Sequence, residues 1–177
     1  LPVTEGVPRP QGPYGVVTLH RPSNVDAPET FRGLVEALGR ISQDLPLFYP
    51  IHPRARKRIQ EFGLEDLVQD SGIELLPPLS YMDFLRLWKD AALVLTDSGG
   101  LQEETTALGV PCFTLRENTE RPVTVDVGSN TLVGTSRERI LEAFSRFQAG
   151  ELKQGKVPEL WDGHAAERIV KALWGRW

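Results

Sequence analysis

The sequence of 177 residues has one cysteine, Cys112, which excludes a disulfide framework and a zinc site built from several cysteines. It has no long apolar run. The longest clean one, residues 91–95, is far short of the roughly 20 residues that span a bilayer. The net charge of −4 shows no basic excess, which argues against binding to nucleic acid or an anionic membrane. No signal-like segment follows Leu1, so we expect a reducing cytoplasm.

Proline and glycine are concentrated in residues 1–13, which predicts an extended linker before one domain over residues 14–177. Short apolar strands alternate there with amphipathic helices. Such a pattern predicts an α/β, Rossmann-like fold, an open parallel sheet with helices on both faces. The predicted strands are 15–19, 47–51, 73–76, 92–96, 112–115 and 131–133, and the predicted helices are 28–43, 54–62, 81–90, 99–108, 137–147 and 165–174. The last helix is expected to turn Ile169, Val170, Leu173 and Trp174 inward.

The turn after the fourth strand is the strongest candidate site, because parallel sheets bind ligands at the carboxyl ends of their strands. Ser98, Gly99 and Gly100 open a helix there, and bare amides with a helix dipole suit a phosphate or diphosphate. Glu104 follows Ser98 by six residues, roughly 9 Å along a helix, a distance that suits an attached ribose. The alternative is that Asp97 or Ser98 simply caps the helix. Neither a Walker loop nor a G-x-G-x-x-G fingerprint is present.

Two histidines also stand at predicted strand ends. His20 and Arg21 follow the first strand, where they either face a ligand or belong to a turn that caps the next helix. His52 follows the second strand, ahead of an arginine-rich helix that is either an anion patch or a solvated face.

Two further segments allow alternative interpretations. Phe84 either stacks on a base or packs in the core. In the loop after the fifth strand, Arg116 and Arg121 either hold a substrate or pair with Glu117 and Glu120.

The combination of these turns resembles the non-hydrolysing UDP-N-acetylglucosamine 2-epimerase family, and the match to its C-terminal half runs from about residue 14 onward. The motifs are TLHR at 18–21, P-x-H-P at 50–53, LTDSGGLQEE at 95–104, LG-x-P at 108–111 and R-x-x-TERP at 116–122. Two departures stand out: Pro22-Ser23-Asn24 replaces the commoner Arg-Glu-Asn, and Leu79 replaces a glutamine.

The resemblance implies the C-terminal, nucleotide-sugar-binding domain of a glycosyltransferase-B type fold with two domains. It places the uridine diphosphate against residues of four kinds: Ser98, Gly99 and Gly100 at the diphosphate, Glu104 at the ribose, Phe84 by the uracil and Arg121 at the substrate. His20 would lie at the diphosphate as a catalytic residue, and Arg21 and His52 would belong to a regulatory nucleotide-sugar site. No cofactor or metal is implied.

The implied reaction interconverts UDP-GlcNAc and UDP-ManNAc by elimination and re-addition of UDP, in polysaccharide biosynthesis. The acid and base at C2 would come from an N-terminal domain outside this chain, so we expect the isolated domain to be inactive and the full-length protein to be a homodimer. A start at Leu1 suggests an excised piece. Two alternatives remain open: a UDP-sugar glycosyltransferase of the same fold, and a non-catalytic nucleotide-binding module.

Overall fold

A computed structural model describes residue 8 and residues 10–175 of the chain, so most of the predicted linker over residues 1–13 lies outside the described residues. The described residues form a six-stranded sheet in the order β3-β2-β1-β4-β5-β6, with every strand pair parallel. This topology confirms the predicted Rossmann-like sheet. The strands are β1 (Gly15–Thr18), β2 (Leu47–Pro50), β3 (Glu74–Leu76), β4 (Leu93–Thr96), β5 (Cys112–Thr114) and β6 (Asn130–Leu132).

Helices connect the strands at every crossover. They are α1 (Pro22–Val25), α2 (Pro28–Ser42), α3 (Pro53–Glu61), α4 (Glu65–Asp70), α5 (Tyr81–Trp88), α6 (Gly99–Leu108), α7 (Pro122–Asp126), α8 (Arg137–Gln148) and α9 (Ala165–Trp174). The sequence did not predict α1, α4 or α7. Each of these has six residues or fewer, too few for a helical period to show in a sequence. No helix of the described residues is long and apolar enough to cross a membrane.

The core lies on both faces of the sheet, as continuous apolar strands require. Val17 points to one face, where α2, α3, α4 and α8 pack. Val16 points to the other, where it meets Trp88 of α5 and Leu101 of α6. Cys112 is fully buried on this second face, and burial raises the pKa of its thiol to about 12, which makes the thiol unreactive.

Helix α9 departs from the prediction. Ile169, Val170, Leu173 and Trp174 were expected to face inward, but they are 55–80% exposed and no residue of α9 is buried. The predicted apolar stripe on α9 is confirmed, but the prediction that this stripe packs inward on the domain is wrong. An amphipathic pattern specifies that one face is apolar, and it does not specify which surface covers that face.

Removing residues 165–177 from this chain should therefore change its melting temperature by less than about 2 °C, because the helix buries no side chain in the domain. Ile140→Ala in α8 is the contrasting variant. That side chain is fully buried, so we expect a loss of about 2–5 kcal/mol. Thermal unfolding followed by circular dichroism measures both. A truncation as damaging as Ile140→Ala would show that α9 packs on this domain.

Candidate functional site

The sheet has one topological switch point, between β1 and β4. From β1 the chain crosses to β2 on one side, and β4 begins the other half of the sheet. Thr18 at the end of β1 is directly paired with Thr96 at the end of β4. The two turns that follow, which carry His20 and Ser98, are therefore adjacent. Open α/β sheets bind their ligands in the crevice at this place.

Helix α6 begins in that crevice. Ser98 is its N-cap, and the Ser98 Oγ accepts a long hydrogen bond from the Leu101 amide at 3.5 Å. The amides of Gly99 and Gly100 come before it, in the first turn, where an α-helix offers no acceptor. The expected capping by Ser98 is confirmed. Capping by Ser98 and an anion on the two glycine amides are compatible, because they use different donors.

Neither glycine is required by the protein's own structure. A Cβ on Gly100 would meet nothing within 4 Å, and a Cβ on Gly99 would meet only Arg21 and Glu120 side chains, at 3.9 Å. Gly109 at the other end of α6 differs, since its φ of +71° favours glycine. The space in front of Gly99 and Gly100 is thus open, as close approach of a ligand to the backbone requires.

Glu104 lies one to two turns further along α6 and is half-buried. Its Oε1 accepts a hydrogen bond of 3.3 Å from the hydroxyl of Tyr81, the first residue of α5. The carboxylate of Glu104 raises the pKa of the Tyr81 phenol. Tyr81 was not among the predicted site residues. Because its hydroxyl bonds to one oxygen of Glu104, the other oxygen is available to vicinal hydroxyls such as those of a ribose.

A cavity of about 200 Å³ opens beside these residues at the ends of β1, β2 and β3. The rings of His20 and His52 lie across it with centroids 5.8 Å apart. Phe84 packs against the core, as one interpretation expects, and it also lines the cavity, where its stacking on a base stays a prediction. His52 is the N-cap of α3, where its Nδ1 accepts from the Arg54 amide at 3.1 Å. The cavity is an apolar slot with two imidazoles at its mouth, which suits a flat base.

The arginines of the site are occupied by carboxylates. Arg116 is buried and donates two bonds of 2.8 Å to Glu120, which holds the pKa of that carboxyl at about 2. Arg21 lies 3.4 Å from the same carboxylate. Arg121 pairs with Glu103 at 3.0 Å and is exposed. Pairing within the loop is confirmed for Arg116 and Glu120, but it is wrong for Arg121, which pairs with Glu103 of α6, and for Glu117, which pairs with Arg139 of α8.

Other predicted positive charge is structural. Arg54 and Arg58 of α3 both donate to Asp26, at 2.8 Å, and so tie α3 to the turn after α1. The other two basic residues of that cluster, Arg56 and Lys57, are exposed, as the alternative of a solvated face expects. Asp26 does not cap α2, whose N-cap is Ala27. The described residues contain no group of three or more histidine, cysteine or acidic side chains that could hold a metal ion.

From the sequence, Asp97 was considered only as a possible helix cap, but the structure shows that it makes several contacts in the site. It is fully buried, and its carboxylate accepts from the backbone amides of His20 and Arg21 and from the side chain of Asn24. Its Oδ1 lies 2.8 Å from Nδ1 of His20. The partners are more than seventy positions away in the sequence, and only the pairing of β1 with β4 brings them together.

The fold and this crevice define the class: a Rossmann-like α/β domain of the kind that binds nucleotides at its switch point. Comparison with known proteins identifies the family. A family profile described as UDP-N-acetylglucosamine 2-epimerase matches residues 3–174. The UDP-N-acetylglucosamine 2-epimerase of Methanocaldococcus jannaschii is 44% identical over 163 residues, covering 90% of this chain and 44% of that protein. The chain therefore belongs to the UDP-N-acetylglucosamine 2-epimerase family.

One solved structure and one further relative extend the comparison. A crystal structure of the Methanocaldococcus jannaschii UDP-GlcNAc 2-epimerase in complex with UDP-GlcNAc and UDP superposes with a TM-score of 0.81 at 43% identity, covering 92% of this chain and 45% of that one. A UDP-2,3-diacetamido-2,3-dideoxy-D-glucuronate 2-epimerase of Pseudomonas aeruginosa is 37% identical over 92% of this chain and 45% of that protein. The chain thus spans less than half the length of these relatives.

Proposed function

We propose that this chain is the C-terminal, UDP-binding half of a UDP-N-acetylglucosamine 2-epimerase, which interconverts UDP-GlcNAc and UDP-ManNAc. The observation that carries the proposal is the open start of α6, where two glycines that the fold itself does not need face the switch-point crevice. The similarity to a relative solved with UDP-GlcNAc and UDP supports the same ligand class. A single buried cysteine suits the reducing cytoplasm, where we place the protein.

In this proposal the ligand runs along the crevice from α6 to the cavity. The diphosphate accepts from the amides of Gly99 and Gly100, with Ser98 beside it, and the ribose hydroxyls donate to Glu104. The uracil enters the cavity against Phe84. Arg121 exchanges Glu103 for the sugar or the phosphate at the rim, where its exposed side chain is free to turn.

The chemistry assigned to this half is stabilisation of the leaving group. When the C2 proton is removed, the C1–O bond breaks and its electron pair leaves with UDP, giving 2-acetamidoglucal. Re-addition of UDP at C1, with a proton delivered to the opposite face of C2, gives the epimer. Donors at the start of α6, on His20 and on Arg121 stabilise the negative charge that develops on departing UDP and so lower the barrier. The C2 acid and base belong to the other half of the protein.

The exposed face of α9 supports a second half. The four large apolar side chains form one exposed cluster on a short helix, unlike the single hydrophobic residues that are scattered over ordinary protein surfaces. Such a cluster is typical of an interaction surface. We place the N-terminal domain of the same protein on Ile169, Val170, Leu173 and Trp174. The homodimer and the regulatory site at Arg21 and His52 stay predictions.

Calorimetry with UDP and activity assays test the proposal together. This chain should bind UDP weakly, in the micromolar to millimolar range, and should not turn over UDP-GlcNAc. The full-length protein in heavy water, given UDP-GlcNAc and no acceptor, should form UDP-ManNAc with deuterium at C2. A parallel assay with UDP-2,3-diacetamido-2,3-dideoxy-D-glucuronate tests which sugar nucleotide the protein accepts. A folded chain that shows no heat with millimolar UDP, or a full-length protein that needs an acceptor, would refute the proposal.

A further inference from the structure

The carboxylate of Asp97 is fully buried at the end of β4, and every described contact it makes leads to the turn after β1. Oδ2 accepts from the amides of His20 and Arg21 at 3.0 and 2.9 Å, and from Asn24 Nδ2 at 3.3 Å. Oδ1 lies 2.8 Å from the ring Nδ1 of His20. The ring of His20 reaches from this buried carboxylate to the cavity, with 39% of its side chain exposed.

We infer that Asp97 is the positioning residue for His20, fixing both the rotation of the ring and the nitrogen that it presents to the ligand. An ionised carboxylate only accepts hydrogen bonds, so the 2.8 Å contact requires a proton on Nδ1. Nε2 is then the nitrogen that faces the cleft. The same logic applies wherever a buried carboxylate holds a catalytic imidazole.

The orientation of the His20 ring decides how it contacts the diphosphate, a step that rests on the proposed function. In the doubly protonated ring, Nδ1–H remains on Asp97 while Nε2–H donates to a phosphate oxygen, so the imidazolium lies between two anions. Without Asp97 the ring is free to rotate, and either nitrogen can turn away from the ligand. Asn24 contributes indirectly: its Nδ2 donates to Leu115 O at 2.8 Å and so holds the carboxylate's surroundings in place.

Nuclear magnetic resonance of isotope-labelled histidine reads the tautomer directly, since protonated and bare ring nitrogens resonate in separate ranges. The sequence has three histidines, so His52→Gln and His164→Gln assign the signals. At about pH 9, where an ordinary imidazole is neutral, we expect Nδ1 of His20 to be protonated. In Asp97→Asn the side-chain amide donates to the ring instead, so Nδ1 should be bare. A bare Nδ1 in the unaltered protein, or the same tautomer in Asp97→Asn, would overturn the inference.

UDP affinity provides the functional readout. We expect Asp97→Asn to weaken UDP binding about tenfold, consistent with loss of one oriented, charge-assisted bond, and to have little further effect in a His20→Asn background.

Asn24→Ala is the matched control, because it loosens the same carboxylate but leaves the ring contact, so Nδ1 should stay protonated. A tautomer that changes equally in Asn24→Ala would contradict the assignment to Asp97. If Asp97→Asn fails to fold, the tautomer of the unaltered protein still decides. Absence of UDP binding to the unaltered protein would refute the proposed function and leave the tautomer result standing.

Discussion

Replacing both Gly99 and Gly100 by alanine is expected to weaken UDP binding on the order of 100-fold while leaving the domain folded. Each amide bond to a charged phosphate contributes about 1.5–3 kcal/mol, and a methyl group at each position holds the phosphate away from both amides. The fold itself has room for the two methyl groups, since the nearest atoms lie 3.9 Å away or further. Alanine is also the better helix former, so stability should rise by up to about 1 kcal/mol. Calorimetry and thermal unfolding measure the two effects.

Two glycines elsewhere are matched controls. Gly33 lies within α2 with nothing near its Cβ position, so Gly33→Ala should stabilise the domain and leave UDP affinity unchanged. Gly109 has a φ of +71°, so Gly109→Ala should destabilise the domain by about 1 kcal/mol, again without an effect on affinity. If the double variant at residues 99 and 100 keeps its affinity, the diphosphate does not bind at the start of α6.

Glu104→Gln is expected to weaken UDP about tenfold or more, because a charged acceptor for the ribose hydroxyls is replaced by a neutral one. The side chain keeps its size and its bond from Tyr81, so the fold should be unaffected. The effect specific to the ribose contact is a loss of discrimination between two ligands. The unaltered protein should prefer UDP to 2′-deoxy-UDP, and the variant should bind the two nearly equally.

Glu142→Gln is the control for Glu104→Gln. Glu142 is exposed on α8, which packs on the opposite face of the sheet from α6, so it carries the same charge change away from the crevice. Affinity and discrimination should match those of the unaltered protein. Equal loss with both ligands in Glu104→Gln would indicate a general charge effect and would remove the ribose role.

A feature of this site is predictable from the sequence when the residues that produce it lie close together in the chain. The turn after β4 was predictable, because an apolar strand, a capping serine and two glycines lie within eight residues of each other. The helix that follows begins at Gly99 as expected. In the same way, Pro53 marks the start of α3, because its fixed φ suits the first helical position.

Contacts that join distant segments were not predictable. Asp97 reads as a helix cap in the sequence, and its bonds to His20 and Asn24 exist only because β1 and β4 are neighbours in register. Tyr81 likewise meets Glu104 across twenty-three positions, on a helix where Phe84 was the one candidate site residue that the sequence indicated. The apolar face of α9 was visible as a pattern, yet its exposure follows from the arrangement of the whole domain.

The most direct test of the account is a crystal structure of this chain or of the full-length protein with UDP bound. We predict diphosphate oxygens within hydrogen-bond distance of the Gly99 and Gly100 amides, the ribose hydroxyls on Glu104 and the uracil in the cavity beside Phe84. UDP bound elsewhere, for example in the groove of about 290 Å³ lined by Glu36 and Arg137, with the start of α6 left empty, would contradict this placement of the nucleotide.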